Sequence, residues 1–169
     1  MRTASQSSGK LPKPIPTETQ PQDAIALLIE DHETVKSMFE QYEELGDRAH
    51  VSKQKLALQI CEELTKHTMI EEEIFYPAVR KAIKDEDMMD EAVVEHASAK
   101  DLIAQIQSMD PTEDLYDAKV KVLSEMIEHH VEEEETEMFP KVRKAKQLDL
   151  EELGQAMAAR KEQIQLPPV

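Results

Sequence analysis

Four stretches of this chain place apolar residues at alternating steps of three and four, and each row has a histidine at its middle: His32, His67, His96 and His130. On the second and fourth stretches the next position of the row is a glutamate, Glu71 and Glu134. Such spacing keeps side chains on one helix face, so these polar groups share the stripe that a bundle turns inward. Imidazoles and carboxylates in an apolar core are costly unless they are paired or coordinated. The chain is thereby constrained to a fold in which something neutralises them, and two metal ions would do so.

The rows define the elements. A first helix is expected from about Asp23 to Gly46, with Gly46 as a left-handed cap and Ile25, Leu28, His32, Val35, Phe39 and Tyr42 as its inner face. The second runs from about Ser52 to Ile83, with Ala57, Ile60, Leu64, His67, Glu71, Ile74 and Ala78 inward. The third begins near Asp85 and stops before Pro111, burying Met89, Ala92, His96, Ala99, Ile103 and Ile106. The fourth spans about Glu113 to Ala145, with Tyr116, Val120, Leu123, Ile127, His130, Glu134 and Met138 inward. Short connections make neighbours antiparallel, which predicts an all-α, up-down-up-down four-helix bundle over residues 21–146.

Residues 1–20 mix Ser, Gly, Lys and Pro without an apolar period and are expected to form a disordered or extended tail. In residues 147–169, Asp149 with Glu152 reads as a capping-box start, so a short fifth helix to about Gln163 and a tail are expected.

The chain also repeats itself. His67 to Ala82 reads HTMIEEEIFYPAVRKA, and His130 to Ala145 reads HVEEEETEMFPKVRKA. Without gaps these share the His, two Glu, the Pro and the final Val-Arg-Lys-Ala. The upstream histidines keep step, since 35 residues separate His32 from His67 and 34 separate His96 from His130. Two helical hairpins of one design, related by a pseudo-twofold axis, imply two equivalent half-sites. Pro77 and Pro140 each lie ten residues past a histidine and cannot donate to the carbonyls of Glu73 and Thr136. Because VRKA continues the helical pattern after both, a kink is expected rather than termination.

Composition narrows the function. A formal net charge of −16 argues against nucleic acid or an anionic membrane surface as a partner. The lone Cys61 excludes an internal disulfide, sits off the face of His67 and reads as packing in a reducing compartment. No apolar run reaches membrane-span length and the N-terminus lacks a signal-peptide core, so a cytoplasmic protein is expected.

A lone histidine on an apolar face is more often a core residue bonded to backbone than a ligand. Four in matching positions, two followed one turn later by Glu, make coincidence a poor explanation. Six donors exceed a tetrahedral structural zinc site, which closes at four. They match two ions, each with two imidazoles, sharing Glu71 and Glu134 as bridges. A bridging oxide or hydroxide would supply most of the missing negative charge, and open positions would remain for an exogenous ligand. This mixed ligation favours redox-active iron, while ligand type alone also admits manganese or zinc. Glu72 and Glu135 recur at the stripe's edge and read as outer partners or surface residues, with ligation open. His129 also has a Glu four positions on, but the repeat and the Leu123–Ile127 seam select His130. His129 is expected to be exposed or an outer partner, and His50 to lie unligated in a loop.

The quoted motifs, with DHETVKSMF upstream and EHASAKDLI between them, resemble the hemerythrin-like HHE cation-binding domain over about Asp23 to Ala145. The resemblance implies a four-helix bundle with a non-heme di-iron centre, and by motif position the ligands His32, His67, Glu71, His96, His130 and Glu134. The oxygen carriers of that family have a second His one turn after the third-helix His, where this chain has Lys100. They also use an Asp five residues after the fourth-helix His, where this chain has Glu135. The resemblance therefore implies a more symmetric centre than an oxygen carrier's. Relatives with this pattern are associated with sensing or processing dioxygen, nitric oxide or peroxide, and with iron handling.

The leading expectation is a di-iron protein that binds, senses or reacts with a small oxidant (dioxygen, peroxide or nitric oxide). A ferroxidase- or peroxidase-like enzyme is the alternative, although no histidine here follows a Glu by three residues, the ferritin-type spacing. A structural bundle whose polar core only fixes register ranks below both.

Overall fold

Aspartates open three of the helices. Asp23 accepts from the Ala26 N–H at 2.8 Å, Asp85 from Met88 at 3.3 Å and Asp149 from Glu152 at 3.0 Å. Each satisfies a donor that the first helical turn leaves unpaired. The computed structural model describes residues 22–168, so the tail expected over 1–20 lies outside the described residues. The helices are α1 (Ala24–Glu43), α2 (residues 50–82), α3 (Glu86–Ser108), α4 (residues 116–144) and α5 (Leu150–Gln163), with no strand among the described residues.

Besides α2, which starts at His50 rather than near Ser52, two boundaries differ from the sequence expectation. Gly46 is not a left-handed cap, because α1 ends at Glu43 and the Leu45 N–H closes back on the Tyr42 carbonyl at 3.1 Å. A tightened last turn satisfies the carbonyl without any positive φ. α4 starts at Tyr116 rather than near Glu113, because Asp110 accepts from both the backbone and the hydroxyl of Thr112 and holds that stretch as a turn.

The prolines reshape α2 and α4. In α2, α-helix His50–Ile70 passes into a π-helical turn, Glu71–Phe75, and returns to α-helix over Tyr76–Ala82. In α4, Tyr116–Glu133 passes into the π-turn Glu134–Met138 and then Phe139–Lys144. The Tyr76 N–H reaches back five residues to Glu71, and Phe139 likewise to Glu134. The wide turn accommodates a proline that has no N–H and whose ring would crowd an α-helical carbonyl. It also shifts the inner face by one residue. Phe75, Tyr76 and Val79 are buried, whereas the expected Ile74 and Ala78 are only partly covered.

The core is split into two apolar layers. Val35, Phe39, Ile60, Leu64, Ile103 and Leu123 belong to one; Ile25, Leu28, Ile70, Met89, Met138 and Phe139 belong to the other. On every bundle helix the histidine falls between residues of the two layers, for example between Leu28 and Val35 on α1. α5 covers one end, burying Met157 against α1 and α2, and Gly154 sits so close to the start of α1 that a Cβ there would meet the Gln22 carbonyl at 2.3 Å. No described helix is long and apolar enough to cross a membrane.

Candidate metal centre

Between the apolar layers all six expected residues meet, and all are buried: His32, His67, His96, His130, Glu71 and Glu134. Their donor atoms form two tetrads, His32–His67–Glu71–Glu134 and Glu71–His96–His130–Glu134. The glutamates belong to both because each divides its oxygens. Glu71 places Oε1 3.1 Å from His67 Nε2 and Oε2 3.0 Å from His96 Nε2. Glu134 places Oε2 3.2 Å from His32 Nε2 and Oε1 3.0 Å from His130 Nε2. The π-turns begin at these two glutamates, so the backbone distortion and the shared carboxylates coincide.

Each histidine turns Nε2 inward and gives Nδ1 to an outer carboxylate. His67 Nδ1 donates to Asp31 at 3.0 Å, His32 to Glu135 at 3.1 Å, His96 to Glu72 at 3.1 Å, and His130 to Glu95. In the neutral ring this arrangement selects the tautomer with its lone pair inward, as metal-binding imidazoles require. Glu72 and Glu135 are therefore outer partners. Asp31 and Glu95 were missed in the sequence, although each directly precedes a row histidine in matching hairpin positions. Their carboxylates cross to the histidine of the following helix rather than serving their own neighbour.

The electrostatics fit a cation centre. Burial alone would lower the pKa of His67, but the adjacent Glu71 charge and the bond to Asp31 push it up to about 10. His130 rises to about 11, burial again being outweighed, here by Glu134 and Glu95. Burial and the repulsion from Glu134 raise the Glu71 pKa, but His67 and His96 bring it below the ordinary value. Glu134 is held well below the ordinary value because His130 and His32 overcome its burial. Buried carboxylates are thus kept ionised by imidazoles, a role that metal ions can take over.

The half-sites are not equivalent, contrary to the sequence expectation. His32 Nε2, His67 Nε2, Glu71 Oε1 and Glu134 Oε2 are buried without hydrogen-bond partners, and these are the four donors of the first tetrad. The second tetrad surrounds a phenol. Tyr76 donates to Glu134 Oε1 at 2.5 Å, lies 3.3 Å from Glu71 Oε2, and sits 3.2 and 3.3 Å from His96 and His130 Nε2. Its counterpart in the repeat is Phe139, which stacks on His32 at 6.0 Å. Tyr76 was outside the expected stripe because an undistorted helix would not turn it inward.

A cavity of about 170 Å³ abuts all four histidines, with Val35, Leu64, Ala99, Met126 and Ile127 in its wall and exposed Val94 and His129 at its edge. His129 is 63 % exposed in its side chain and pairs with Glu133 at 3.1 Å, away from the centre. His50 begins α2 rather than lying in the loop, and belongs to neither tetrad. Lys100 lies at the surface on Glu72 at 2.5 Å. Cys61 is buried, and desolvation raises its thiol to about 12, consistent with packing.

Comparison with known proteins places this geometry in context. A family model described as the hemerythrin HHE cation binding domain matches residues 23–142. The crystal structure of a hemerythrin HHE cation binding domain-containing protein from Mycobacterium kansasii is similar, at 30% identity and a TM-score of 0.71, covering 84% of this chain and 86% of that one. A curated relative from Nostoc sp., named DNA nickase, is 30% identical over 122 residues, which is 72% of this chain and 33% of the relative. The chain thus spans about a third of that relative's length.

Proposed function

The chain belongs to the hemerythrin HHE cation-binding domain family, and from that premise we propose that its two tetrads hold two iron ions whose pair binds, senses or reacts with dioxygen, peroxide or nitric oxide. The observation that carries this reading is the first tetrad: four buried donor atoms, none with a hydrogen-bond partner, converging on one point. His67 Nε2 and Glu71 Oε1 are 3.1 Å apart, and His32 Nε2 and Glu134 Oε2 3.2 Å apart, in contact but outside hydrogen-bond geometry. Buried polar atoms left poorly satisfied cost up to about 1–3 kcal/mol each, a cost that a bound cation would relieve. The second tetrad offers the same donor types with Tyr76 as an additional polar neighbour.

When bound, iron would supply metal-centred one-electron chemistry that the histidine and glutamate side chains lack. The protein's own residues do the rest. Once neutral, His32, His67, His96 and His130 would present inward lone pairs, because Glu135, Asp31, Glu72 and Glu95 accept their Nδ1 protons. Glu71 and Glu134 span the two positions, fixing their separation. The cavity wall of Val35, Leu64, Ala99, Met126 and Ile127 suits a small, weakly polar molecule and resists bulk water. The Tyr76 hydroxyl holds a proton at the centre, and burial together with Glu134 and Glu71 raises its pKa well above the ordinary value.

The DNA nickase name is not carried over to this chain. It belongs to a protein of which the match covers only 33%, and a charge of −16 opposes binding to a polyanion. The test is anaerobic loading with ferrous iron, removal of excess, and measurement of iron per chain, followed by exposure to each oxidant with an optical record. Two irons per chain with a spectral response to one oxidant is expected. Less than one iron per chain refutes the reading. Metal loading should also raise the Tm, since ligand at about 1,000 times its Kd contributes roughly 4 kcal/mol.

A further inference from the structure

The four outer carboxylates are not alike. Asp31 is the only one of the four that is buried, with 9 % of its surface exposed. It uses Oδ2 to accept from His67 Nδ1 at 3.0 Å, and its other oxygen, Oδ1, accepts from Lys161 Nζ at 2.6 Å. Lys161 comes from α5, which lies outside the duplicated hairpins. Its side chain is partly buried, and the ammonium is also 3.5 Å from Glu63 on α2. Among the described residues the corresponding carboxylate of the other hairpin, Glu95, faces His129 and no lysine, while Glu72 meets Lys100 of α3 at 2.5 Å, an exposed pair rather than a buried one.

We propose that Lys161 is a positioning residue of the metal centre: by pinning Asp31, it holds the His67 ring in its ligating orientation and makes α5 a working part of the His32–His67 half-site. This rests on the proposed function. The physical basis is geometric. A carboxylate held at one oxygen by an ammonium cannot rotate away from the imidazole at the other. The ring it holds is one of the two whose inward Nε2 has no hydrogen-bond partner. Without Lys161, Asp31 can swing toward solvent, and His67 loses the constraint that selects its tautomer. Removing an outer partner of a ligating histidine typically costs about 10–100-fold in metal affinity. Lys161 acts one bond further out, so the lower end of that range, about tenfold, is expected, and only for one ion of the two.

The experiment titrates the metal-free full chain with Co²⁺, whose visible absorption reports each ion's coordination, in wild type, Lys161→Gln, Lys161→Arg, Arg160→Gln and Asp31→Asn. Arg160 is the control for anchoring. It pairs with Glu73 at 2.7 and 3.2 Å from the same helix and touches no outer carboxylate of a histidine. Lys161→Gln should weaken one of the two binding steps about tenfold, with Lys161→Arg restoring it and Arg160→Gln leaving both steps near wild type. Asp31→Asn should weaken the same step, and adding Lys161→Gln to it should cost little more. Equal weakening by Arg160→Gln, equal weakening of both steps, or no change in Lys161→Gln overturns the inference while wild type still takes up two ions. Wild-type uptake below one ion per chain would instead refute the proposed function itself.

Discussion

Tyr76→Phe removes a single oxygen from the middle of the molecule. That hydroxyl donates to Glu134 at 2.5 Å and lies 3.3 Å from Glu71, and the residue is 3 % exposed. A hydrogen bond to a charged group contributes about 1.5–3 kcal/mol, and a buried acceptor that loses its donor carries a desolvation penalty of similar size. Glu134 Oε1 still has His130 Nε2 at 3.0 Å, which limits that penalty. The metal-free variant should therefore be less stable by about 1.5–3 kcal/mol. For a domain of this size each kcal/mol corresponds to roughly 2–4 °C, so a Tm lower by about 3–12 °C is expected. The assay is thermal unfolding by circular dichroism of chelator-treated wild type and variant at pH 7. The reciprocal change, Phe139→Tyr, directs a hydroxyl to the tetrad whose donors lack partners, and should raise the metal-free Tm. A Tyr76→Phe Tm equal to or above wild type would show that the phenol does not hold the carboxylate pair.

Other outcomes follow from the same geometry. His67 and His130 titrate near 10 and 11 when folded without metal, against about 6.5 unfolded. Raised folded values mean that their contribution is complete below about pH 6.5 and is lost as the pH climbs through about 10 and 11. The urea midpoint of the metal-free chain should thus fall from pH 7 to 10, and a rise would contradict the assignment. Because both protons must leave before the imidazoles can ligate, apparent affinity for the ion pair should rise by up to about two log units per pH unit above pH 7 in a metal titration. Gly154→Val places a side chain against the Gln22 carbonyl and the Ala24 nitrogen, which are backbone and cannot yield. Limited proteolysis should then release α5 while the bundle survives, and a protected α5 would refute the close packing. Ala99→Leu fills part of the cavity beside the histidines, so oxidant response should slow at unchanged iron content in stopped-flow mixing. An unaltered rate would mean that ligands do not arrive through that cavity.

Much of the bundle was legible because its rows obey one period. Every expected inner residue of α1 and α3 is buried, histidines included. Legibility fails where the backbone leaves the α-helix. Period alone carries Glu71 on to Ile74 and Ala78, whereas the π-turn inserts a residue and delivers Phe75, Tyr76 and Val79. The prolines announced a disturbance at both places, but a missing N–H does not specify whether a helix bends or widens. Gly46 misled in a similar way. Glycine permits a left-handed cap without requiring one, and α1 closes its last turn through Leu45 instead.

The six inward donors were legible from register, while their supports were not, because outer partners are set by helix-to-helix packing. Asp31 and Glu95 look like ordinary acidic neighbours of His32 and His96, yet each bonds the histidine of the next helix, a relation that no spacing within one helix encodes. Two identical hairpins would give identical half-sites, and the shared Glu71 and Glu134 preserve that symmetry at the centre. Two features break it. Tyr76 stands where the repeat has Phe139, and Lys161 reaches Asp31 from a helix that has no twin. One position is thereby left with four donors outside hydrogen-bond geometry and a histidine held through a buried carboxylate, and the other is wrapped around a phenol. Ions bound at the two positions would meet different surroundings, so they should differ in affinity and in how readily each exchanges a ligand, a difference that donor identity alone would not produce.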